Sequence, residues 1–450
     1  MGQDGRRRGR GDRLRHVTVV SDGSHNDMTT PRVLTLCNWF PPRYVGGAEV
    51  SAFYTVHGLK ERGYDVRVLS IWARGTEASD TMRDFRGIPV HEVLLSRDGG
   101  GPAPEVFDRR VYQHVLAEIN EFKPDLVHMH NISGASLAPF LACRQAGVRV
   151  VQTLHDHWLL CAANMLYQTD GALCHDTSQW SCCGRCYRRY DHWADVPFRR
   201  KLFSLASSGV RRFITPSGAL RDLHVRSGYD PARFRVVPYG IAPDVQIGTA
   251  DSTERATTGT RLRRVLAERP DNVVLFSGVL VETKGLDTLI DAAPMMQQYA
   301  GPLQLWIAGG GEGRYVERLE SLTSVKVEML GKLMFDTVRE VYGAAGLTVV
   351  PSVWFDNSPV VIYESLLAGT PVLGSTIGGI SELIEEGVTG YLVPPRDAAA
   401  LAEKVILHFS QPARKRREMR RACVEYAVSR LSLDRHVDAV TSVYTEALAS

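Results

Sequence analysis

Two acidic residues in the stretch PSVWFDNSPVVIYESLLAG, residues 351–369, have side chains suited to binding the polar groups of a ligand. Asp356 stands in a loop after an apolar run, and Glu364 follows eight positions later in a helical stretch. A retaining glycosidase needs two carboxylates that flank one bond. Because this spacing spans a loop and a helix turn rather than two strands, we favour another chemistry, in which Glu364 accepts hydrogen bonds from two ribose hydroxyls.

The residues between these two acids predict the start of a helix. Asn357 or Ser358 is a suitable N-cap, and Pro359 suits the first helical turn. Gly369 is placed to end the same helix. A strand that leads into a helix start presents free N–H groups and the positive end of the helix dipole, which suits phosphate. The stretch therefore predicts a site for a sugar nucleotide.

Lys284 carries a positive charge at a position that suits the same sugar-nucleotide ligand. It follows a strand and a glycine in FSGVLVETKGLDTLI, next to a predicted helix start. An ammonium group there would clamp a pyrophosphate and neutralise it as a leaving group. The alternative is a solvated surface lysine.

His155 ends a predicted strand, in VVQTLHDHW. Ligands of α/β proteins bind at the carboxyl ends of strands, so this side chain would contact a sugar hydroxyl or stabilise a departing phosphate. The alternative is a histidine satisfied by local packing. Adjacent residues of an extended segment point to opposite faces, which disfavours joint metal ligation by His155, Asp156 and His157.

Glycine-rich loops follow predicted strands in both halves of the chain. Gly46 and Gly47 lie between the first predicted strand and a helix, where they allow a close approach of a ligand or form only a tight turn. The loop AGGGEG, residues 308–313, lacks the GxGxxG spacing and is not at the first turn. The absence of a GxGxxG motif after the first predicted strand argues against a nicotinamide oxidoreductase. We expect the loop 308–313 to line a nucleotide pocket.

Five of the cysteines are close together between residues 161 and 186. The motif Cys183-Gly-Arg-Cys186 has the spacing of a metal-binding knuckle. With Cys161 and Cys174 it would form a structural zinc site that holds an irregular loop. Reduced or buried thiols, including Cys182, are the equal alternative, and disulfides are a third.

Strands and helices alternate along the chain, which predicts α/β domains with mainly parallel sheets. The alternation stops in a polar stretch around residues 241–260 and then restarts, so we expect two domains that face each other across a cleft. The predicted parts are a disordered basic tail at 1–30, a first domain at 31–238, a linker at 239–262, a second domain at 263–410 and closing helices at 411–450 that pack back toward the first domain.

Composition excludes several classes of function. The chain has 450 residues, an apolar fraction of 44% and a net charge of +3, so it has enough apolar residues for two cores and no excess charge that calls for nucleic acid. No run approaches the length of a membrane span. The basic tail lacks the apolar region of a secretory signal. We therefore expect a cytoplasmic protein.

These motifs together resemble a retaining GT-B glycosyltransferase of family 4. The resemblance runs from Arg32 to the C-terminus and is most specific in the second half, and the stretch HDHWLLC with its cysteines resembles a subgroup with a cysteine-rich insertion. It is carried by YVGGAE (44–49), TLHD (153–156), FITPS (213–217), VVPYGI (236–241), SGVLVETKG (277–285), LWIAGGGE (305–312), LGK (330–332), WFDNSPVVIYESLLAGTPV (354–372) and GVTGYLVPP (387–395).

The resemblance implies two Rossmann-like domains that close over a nucleotide-sugar donor and retain the anomeric configuration without a catalytic metal ion. His155, Lys284 and Asp356 would act at the reacting centre, with Asp356 on sugar hydroxyls and Glu364 on the ribose. The loop Gly331–Leu333 would contact the base. The implied donor-binding residues are Gly46, Gly47, Gly278, Val279, Lys284, Gly309, Gly311, Gly331, Lys332, Leu333, Asn357, Ser358, Pro359, Val360 and Glu364.

Two positions depart from the family pattern. Asp356 stands where the family usually has Glu, and Val279 stands where it often has Arg. Loss of that guanidinium removes a bidentate phosphate contact, which leaves more of the charge to Lys284 or to another arginine such as Arg314.

The acceptor and the class of function stay open at this level. We expect a UDP- or GDP-sugar donor and a small soluble acceptor, such as a specialised metabolite (an antibiotic, for example) or a small-thiol or glycoside precursor, and we allow for a homodimer. A polysaccharide or lipid-linked glycan is the alternative acceptor. A non-catalytic sugar-nucleotide-binding protein is the alternative of another class.

Overall fold

Two β-sheets with helices on their faces form the body of the protein, as the computed structural model shows. It describes residues 31–43, 46–98, 106–175, 183, 186, 196–242, 265–266, 272–299, 301–333 and 335–449. The predicted tail and most of the predicted linker lie outside these ranges. The predicted architecture of two parallel-sheet, Rossmann-like domains is confirmed.

The first sheet has the strand order β3-β4-β2-β1-β5-β6-β7-β8. Its neighbours pair in parallel except β3 and β4, which form an antiparallel hairpin at one edge. The strands are β1 (Arg32–Cys37), β2 (Asp65–Gly75), β3 (Ser79–Phe85), β4 (Ile88–Ser96), β5 (Leu126–Met129), β6 (Arg149–Thr153), β7 (Val210–Thr215) and β8 (Phe234–Val236).

Helices cover both faces of this sheet, so its central strands are mainly apolar and buried. Strands β1 and β5 are buried almost completely, since parallel strands between two helical layers have no solvent face. The helices are α1 (Gly47–Glu61), α2 (Arg109–Phe122), α3 (Ala138–Ala146), α4 (Val196–Ala206) and α5 (Gly218–Arg226).

The second sheet is parallel throughout, with the order β11-β10-β9-β12-β13-β14. Its strands are β9 (Val273–Ser277), β10 (Gln304–Ala308), β11 (Lys326–Gly331), β12 (Leu347–Val350), β13 (Val372–Ser375) and β14 (Gly390–Val393). Its helices are α6 (Leu286–Met296), α7 (Gly313–Glu320), α8 (Phe335–Ala344), α9 (Val360–Leu367) and α10 (Ala398–Ser410).

Two long helices close the chain, α11 (Ala413–Arg430) and α12 (Leu433–Ala449). Helix α12 lies on the first sheet's side of the molecule, where Val437 and Val440 are fully buried in the same apolar cluster as Phe53 of α1. The Tyr444 hydroxyl is 2.7 Å from Nδ1 of the buried His128 on β5. The last helix is thus packed onto the first domain although it follows the second domain in sequence.

The alternating segments that the sequence predicts are present with small shifts of their ends. The prediction missed the hairpin β3–β4, helices α2 and α4, and the short edge strands β8 and β14. It also placed a helix from Ala135, whereas the structure has a 3₁₀ turn at Ser133–Ala135 and begins α3 at Ala138. Within the described residues, no helix combines the length and the apolar character needed to cross a membrane.

We expect Tyr444→Phe to lower the free energy of unfolding by about 1–2 kcal/mol, because it leaves a buried nitrogen of His128 without its partner. The measurement is urea denaturation followed by tryptophan fluorescence. Glu446→Gln on the same helix is the matched control, since its bonds to Arg212 and Arg235 are partly exposed and should contribute less than 1 kcal/mol. Equal losses in the free energy of unfolding for the two variants would show that the buried contact is not the main contribution to the packing of α12.

Candidate active site

A cavity of about 410 Å³ lies where the carboxyl ends of the two sheets meet. Its wall combines the start of α1, the end of β6, the loops after β9 and β12, and the start of α9. The lining residues are Gly46, Gly47, Ala48, His155, Tyr239, Phe276, Ser277, Gly278, Val279, Lys284, Val349, Val350, Ser352, Trp354, Asp356, Asn357, Ser358, Pro359, Val360 and Val361.

Lys284 and Asp356 form an ion pair in this wall. The Nζ atom of Lys284 is 2.5 Å from Oδ2 of Asp356, which also accepts a hydrogen bond from the Ser352 hydroxyl at 3.1 Å. The side chain of Asp356 is 9% exposed and that of Lys284 is 27% exposed. The ammonium thus keeps one side open to the cavity while a buried carboxylate fixes its position.

A close backbone contact brings the two partners together. Lys284 ends a 3₁₀ turn, and Gly285 follows with a positive φ of 75°. A Cβ atom on Gly285 would lie 1.7 Å from the carbonyl oxygen of Pro351, so only glycine lets this turn approach the end of β12. The amide of Val353 donates to the carbonyl of Thr283 across the same contact.

His155 is neutral and already bonded through both ring nitrogens. Its Nδ1 is 2.8 Å from the Tyr239 hydroxyl, and its Nε2 is 3.0 Å from Nδ1 of His130. Burial, with a smaller effect from His436, lowers the pKa of His155 to about 3. The ring therefore lines the cavity without a positive charge, and it could bond to a ligand only in exchange for one of these two partners.

The neighbours of His155 point to separate partners, as the alternation of an extended segment predicts. Asp156 accepts hydrogen bonds from the backbone of Trp158 and the side chain of Asn164. The ring Nε2 of His157 lies 2.9 Å from the carbonyl of Phe355. Joint metal ligation by these three residues is therefore not the arrangement in this structure.

The start of α9 differs from the predicted cap. The helix begins at Val360, so Pro359 is the N-cap residue and no side chain caps the helix. Asn357 donates instead to the carbonyl of His155, and the Ser358 hydroxyl is 2.6 Å from that of Tyr363. The capping prediction for Asn357 and Ser358 is wrong because both side chains bond across the fold. The prediction that Gly369 follows the helix end is correct.

Helix starts from both domains meet at the cavity. Gly46 and Gly47 lie at the start of α1, and a Cβ atom on Gly47 would lie 2.7 Å from Cγ2 of Val360. The Gly46 amide is taken by the carboxylate of Glu49. No acidic side chain lies in the first turn of α9, so no carboxylate competes there with an anion for the amides.

Glu364 lies one helical turn beyond Val360 and outside the cavity wall. Burial raises the pKa of this carboxyl to about 7, and the nearby Tyr342 hydroxyl has the opposite, smaller effect. The proton of Glu364 is therefore held more tightly than that of an ordinary carboxyl group.

Other predicted donor-binding residues are also absent from the wall of this cavity. Gly309 instead packs against Gly278, where a Cβ atom would lie 1.8 Å from the Gly278 carbonyl oxygen. Arg314, the suggested replacement for the missing guanidinium, pairs with Glu312. The predicted donor-binding residues outside the wall are Gly309, Gly311, Gly331, Lys332, Leu333 and Glu364.

The structure adds residues that sequence reasoning missed. Tyr239 and His130 orient His155, Ser352 bonds to Asp356, and the ring of Trp354 lies 5.3 Å from Nζ of Lys284. Tyr239 and Trp354 stand inside motifs that the resemblance uses, VVPYGI and WFDNSP, so their place in these motifs was the available signal.

The cysteine prediction falls partly outside the described residues. Cys161 and Cys174 are half-buried and pack against the small apolar cluster of Leu160, Leu166 and Leu223. Cys183 and Cys186 are described, whereas Cys182 and the rest of that segment are not. The zinc site therefore stays a prediction.

Comparison with known proteins agrees with the two-domain architecture. The family model "Glycosyltransferase Family 4" matches residues 45–245, and the model "Glycosyl transferases group 1" matches residues 260–430. An uncharacterised glycosyltransferase of Methanocaldococcus jannaschii is 26% identical over 379 residues, which are 82% of this chain and 87% of the relative.

Two further matches are more distant or more partial. A D-inositol 3-phosphate glycosyltransferase of Acidothermus cellulolyticus is 32% identical over 52% of each chain, so this chain matches only about half of that protein's length. Among solved structures, Anabaena HepE in complex with UDP-glucose superposes with a TM-score of 0.64 at 19% identity, over 92% of this chain and 99% of the other.

The fold is that of the GT-B class of glycosyltransferases, and each half of the chain matches a glycosyltransferase family model. Within that class, the first domain is similar to glycosyltransferase family 4 and the second to the glycosyltransferases of group 1. The predicted resemblance is confirmed to that extent. Retention and the cysteine-rich subgroup stay predictions.

We expect the Lys284–Asp356 pair to couple in a double-mutant cycle. Lys284→Met alone should lower the free energy of unfolding by about 1–3 kcal/mol, because it leaves a buried carboxylate unpaired beside a partly open cavity. Adding Asp356→Asn should restore at least about half of that loss. The measurement is the urea midpoint of the two single variants and the double variant. If the loss in the double variant equals the sum of the losses in the single variants, the pairing is contradicted.

Proposed function

We propose that the protein is a retaining glycosyltransferase that moves a sugar from a UDP-sugar to a small soluble acceptor. The observation that carries this proposal is the cavity in which the Lys284 ammonium and the uncapped start of α9 face the same space. Both features bind a diphosphate. The Anabaena neighbour in complex with UDP-glucose, at 99% coverage of its chain, supports uridine as the donor base.

In this proposal, the protein stabilises the charge that develops when the sugar–phosphate bond breaks. The bond between the anomeric carbon and the diphosphate oxygen breaks, the acceptor oxygen bonds to that carbon, and the acceptor proton passes to the departing phosphate. Retention puts the acceptor on the face that the diphosphate leaves, so the phosphate is within reach of that proton. Lys284 and the α9 amides would supply the positive field in place of a metal ion.

The two family departures act together at this site. With Val279 in place of an arginine, Lys284 is the sole Lys or Arg side chain among the described residues that line the cavity. The shorter Asp356 lines the cavity and is paired with Lys284. We therefore propose that Asp356 positions the ammonium in the free protein and that a sugar hydroxyl competes for the same carboxylate when the donor binds.

His155 would contribute orientation. Burial makes the neutral ring a poor base, and its bonds to Tyr239 and His130 would hold it as a fixed, uncharged surface beside the sugar. The carbonyl of the same residue is held by Asn357 of the second domain. This contact between the two domains holds the backbone of His155 in place.

A soluble acceptor in the cytoplasm is part of the same proposal. The alternative acceptor is a polysaccharide or a lipid-linked glycan. The alternative class is a binding protein that holds a sugar nucleotide without turnover, and a homodimer is compatible with either.

The experiment is a panel of UDP- and GDP-sugars with nucleotide release as the readout, preceded by thermal shifts with UDP, GDP and NADH. We expect UDP to stabilise the protein, since a ligand at a hundred times its dissociation constant adds about 2.7 kcal/mol. Lys284→Ala should reduce turnover by at least about a hundredfold. Stabilisation by NADH alone would contradict the proposal, and UDP binding without any sugar release would favour the binding protein.

The affinity for UDP should rise with pH if Glu364 holds the ribose. An ionised carboxylate accepts both hydroxyl protons, and the carboxyl with a pKa of about 7 must lose its proton first. Affinity should therefore increase by up to about tenfold from pH 6 to pH 8 and level off above. The measurement is calorimetric titration with UDP at several pH values.

Glu364→Gln is the informative variant, because it removes this titration while keeping the shape of the side chain. The pH dependence of UDP affinity that remains in this variant comes from the phosphate of UDP itself, whose second pKa is about 6. Glu340→Gln, on an exposed face of α8, is the matched control. An identical profile in the wild type and Glu364→Gln would place the ribose elsewhere.

A further inference from the structure

A cluster of metal-ligating side chains lies on the first domain, apart from the cavity. Asp80 on β3, His91 on β4 and His114 on α2 bring one carboxylate oxygen and two ring nitrogens within 4.8 Å of one another. None of the three lines the active-site cavity. The cluster therefore needs its own explanation.

The fold places these residues on one face of the sheet. Strands β3 and β4 pair antiparallel with Met82 opposite His91, so Asp80, two positions from Met82, lies diagonally across from His91 on the same side. Helix α2 brings His114 to that side, and Glu118, four positions on, lies on the same helical face. Glu118 is itself in contact with His91, which confirms this placement.

One of the histidines is held in the way that metal-bound histidines usually are. The Nδ1 atom of His91 is 2.5 Å from Glu118, whose side chain is 3% exposed and is also bonded to Arg67. Its other nitrogen, Nε2, is 2.7 Å from Asp80. A buried carboxylate behind the ring fixes the tautomer and raises the basicity of the nitrogen that faces a metal ion.

The side chains of Asp80 and His114 are partly exposed, and they can close around an ion once Asp80 exchanges its bond to His91 for a bond to the ion. Nδ1 of His114 is 3.7 Å from Asp80, too far for a hydrogen bond, and both side chains are partly exposed, at 28% and 57%. Ligands around tetrahedral zinc lie about 3.3 Å apart, given bonds of about 2.0–2.1 Å. Side-chain rotation alone can therefore bring the three atoms from their present spacing to that geometry.

We propose that Asp80, His91 and His114 bind a divalent ion of the zinc class, with Glu118 as the residue that positions His91. Two imidazoles and one carboxylate suit zinc and its neighbours in the transition series better than magnesium or calcium. In the bound form, Nε2 of His91 and the carboxylate of Asp80 would face the ion instead of each other.

The metal site would stabilise the hairpin β3–β4 at the edge of the first sheet. Strand β3 is mostly exposed and pairs only with β4 among the described strands. Bonds from Asp80 and His91 on the hairpin and from His114 on helix α2 to the same ion would connect the hairpin to the helix. The expected consequence is added stability of the first domain, with no direct part in sugar transfer.

The test uses the full chain, stripped with a chelator and then titrated with Zn²⁺ and Co²⁺. Metal content after dialysis should be about one equivalent higher in the wild type than in His114→Gln or Asp80→Asn. Zn²⁺ should raise the melting temperature of the wild type and not that of these two variants. Glu118→Gln should retain the site with affinity about 10–100-fold weaker.

Two controls separate this site from other metal binding. Glu121→Gln, one turn further along α2 and also bonded to Arg67, should bind zinc as the wild type does. The visible absorption of Co²⁺ bound at the proposed site should be lost in His114→Gln. The thiolate-to-cobalt charge-transfer band reports only Co²⁺ bound to cysteines, and it should not change in this variant. Equal metal content in the wild type and His114→Gln would overturn the proposal and leave the cluster as an ion-pair network.

Discussion

The ion pair between Lys284 and Asp356 joins two loops that leave the second sheet at different strands. It forms because Gly285 lets the turn before α6 touch the carbonyl of Pro351 at the end of β12. A carboxylate that is 9% exposed would be costly without this partner. The pair therefore constrains both the backbone around it and the direction of the positive charge, and the other features of the cavity are arranged around that charge.

The sequence predicted the part of the fold that depends on local pattern. Buried parallel strands such as Arg32–Cys37 and Leu347–Val350 are continuous apolar runs between turn residues, and the structure has them where the pattern indicates. The hairpin β3–β4 was missed because SDTMRDF, with no apolar alternation, lies exposed at the sheet edge. Its pairing depends on β4 and on the side chains of α2, which no short window of sequence contains.

The candidate site was predictable to a similar degree. Lys284, Asp356 and the start of α9 lie in the cavity wall, as their motifs indicate. What the motifs do not contain is which partner each side chain takes. Asn357 bonds to the carbonyl of His155, 202 positions away, rather than capping its own helix. His155 is neutral because burial, with a smaller effect from His436, lowers its pKa, and both causes depend on the tertiary structure.

The segment that follows His155 connects the cysteine region to the reacting charge. The Tyr167 hydroxyl bonds to Glu282, two positions before Lys284, and Arg396 of the second domain bonds to Tyr167 and to the carbonyl of Gly171. Cys161 and Cys174 flank this contact in sequence. Any bond that holds these cysteines would therefore limit the motion of Tyr167, and through Glu282 the motion of the turn that carries Lys284. The cysteine region thus has a physical route to the active site that does not require it to touch the donor.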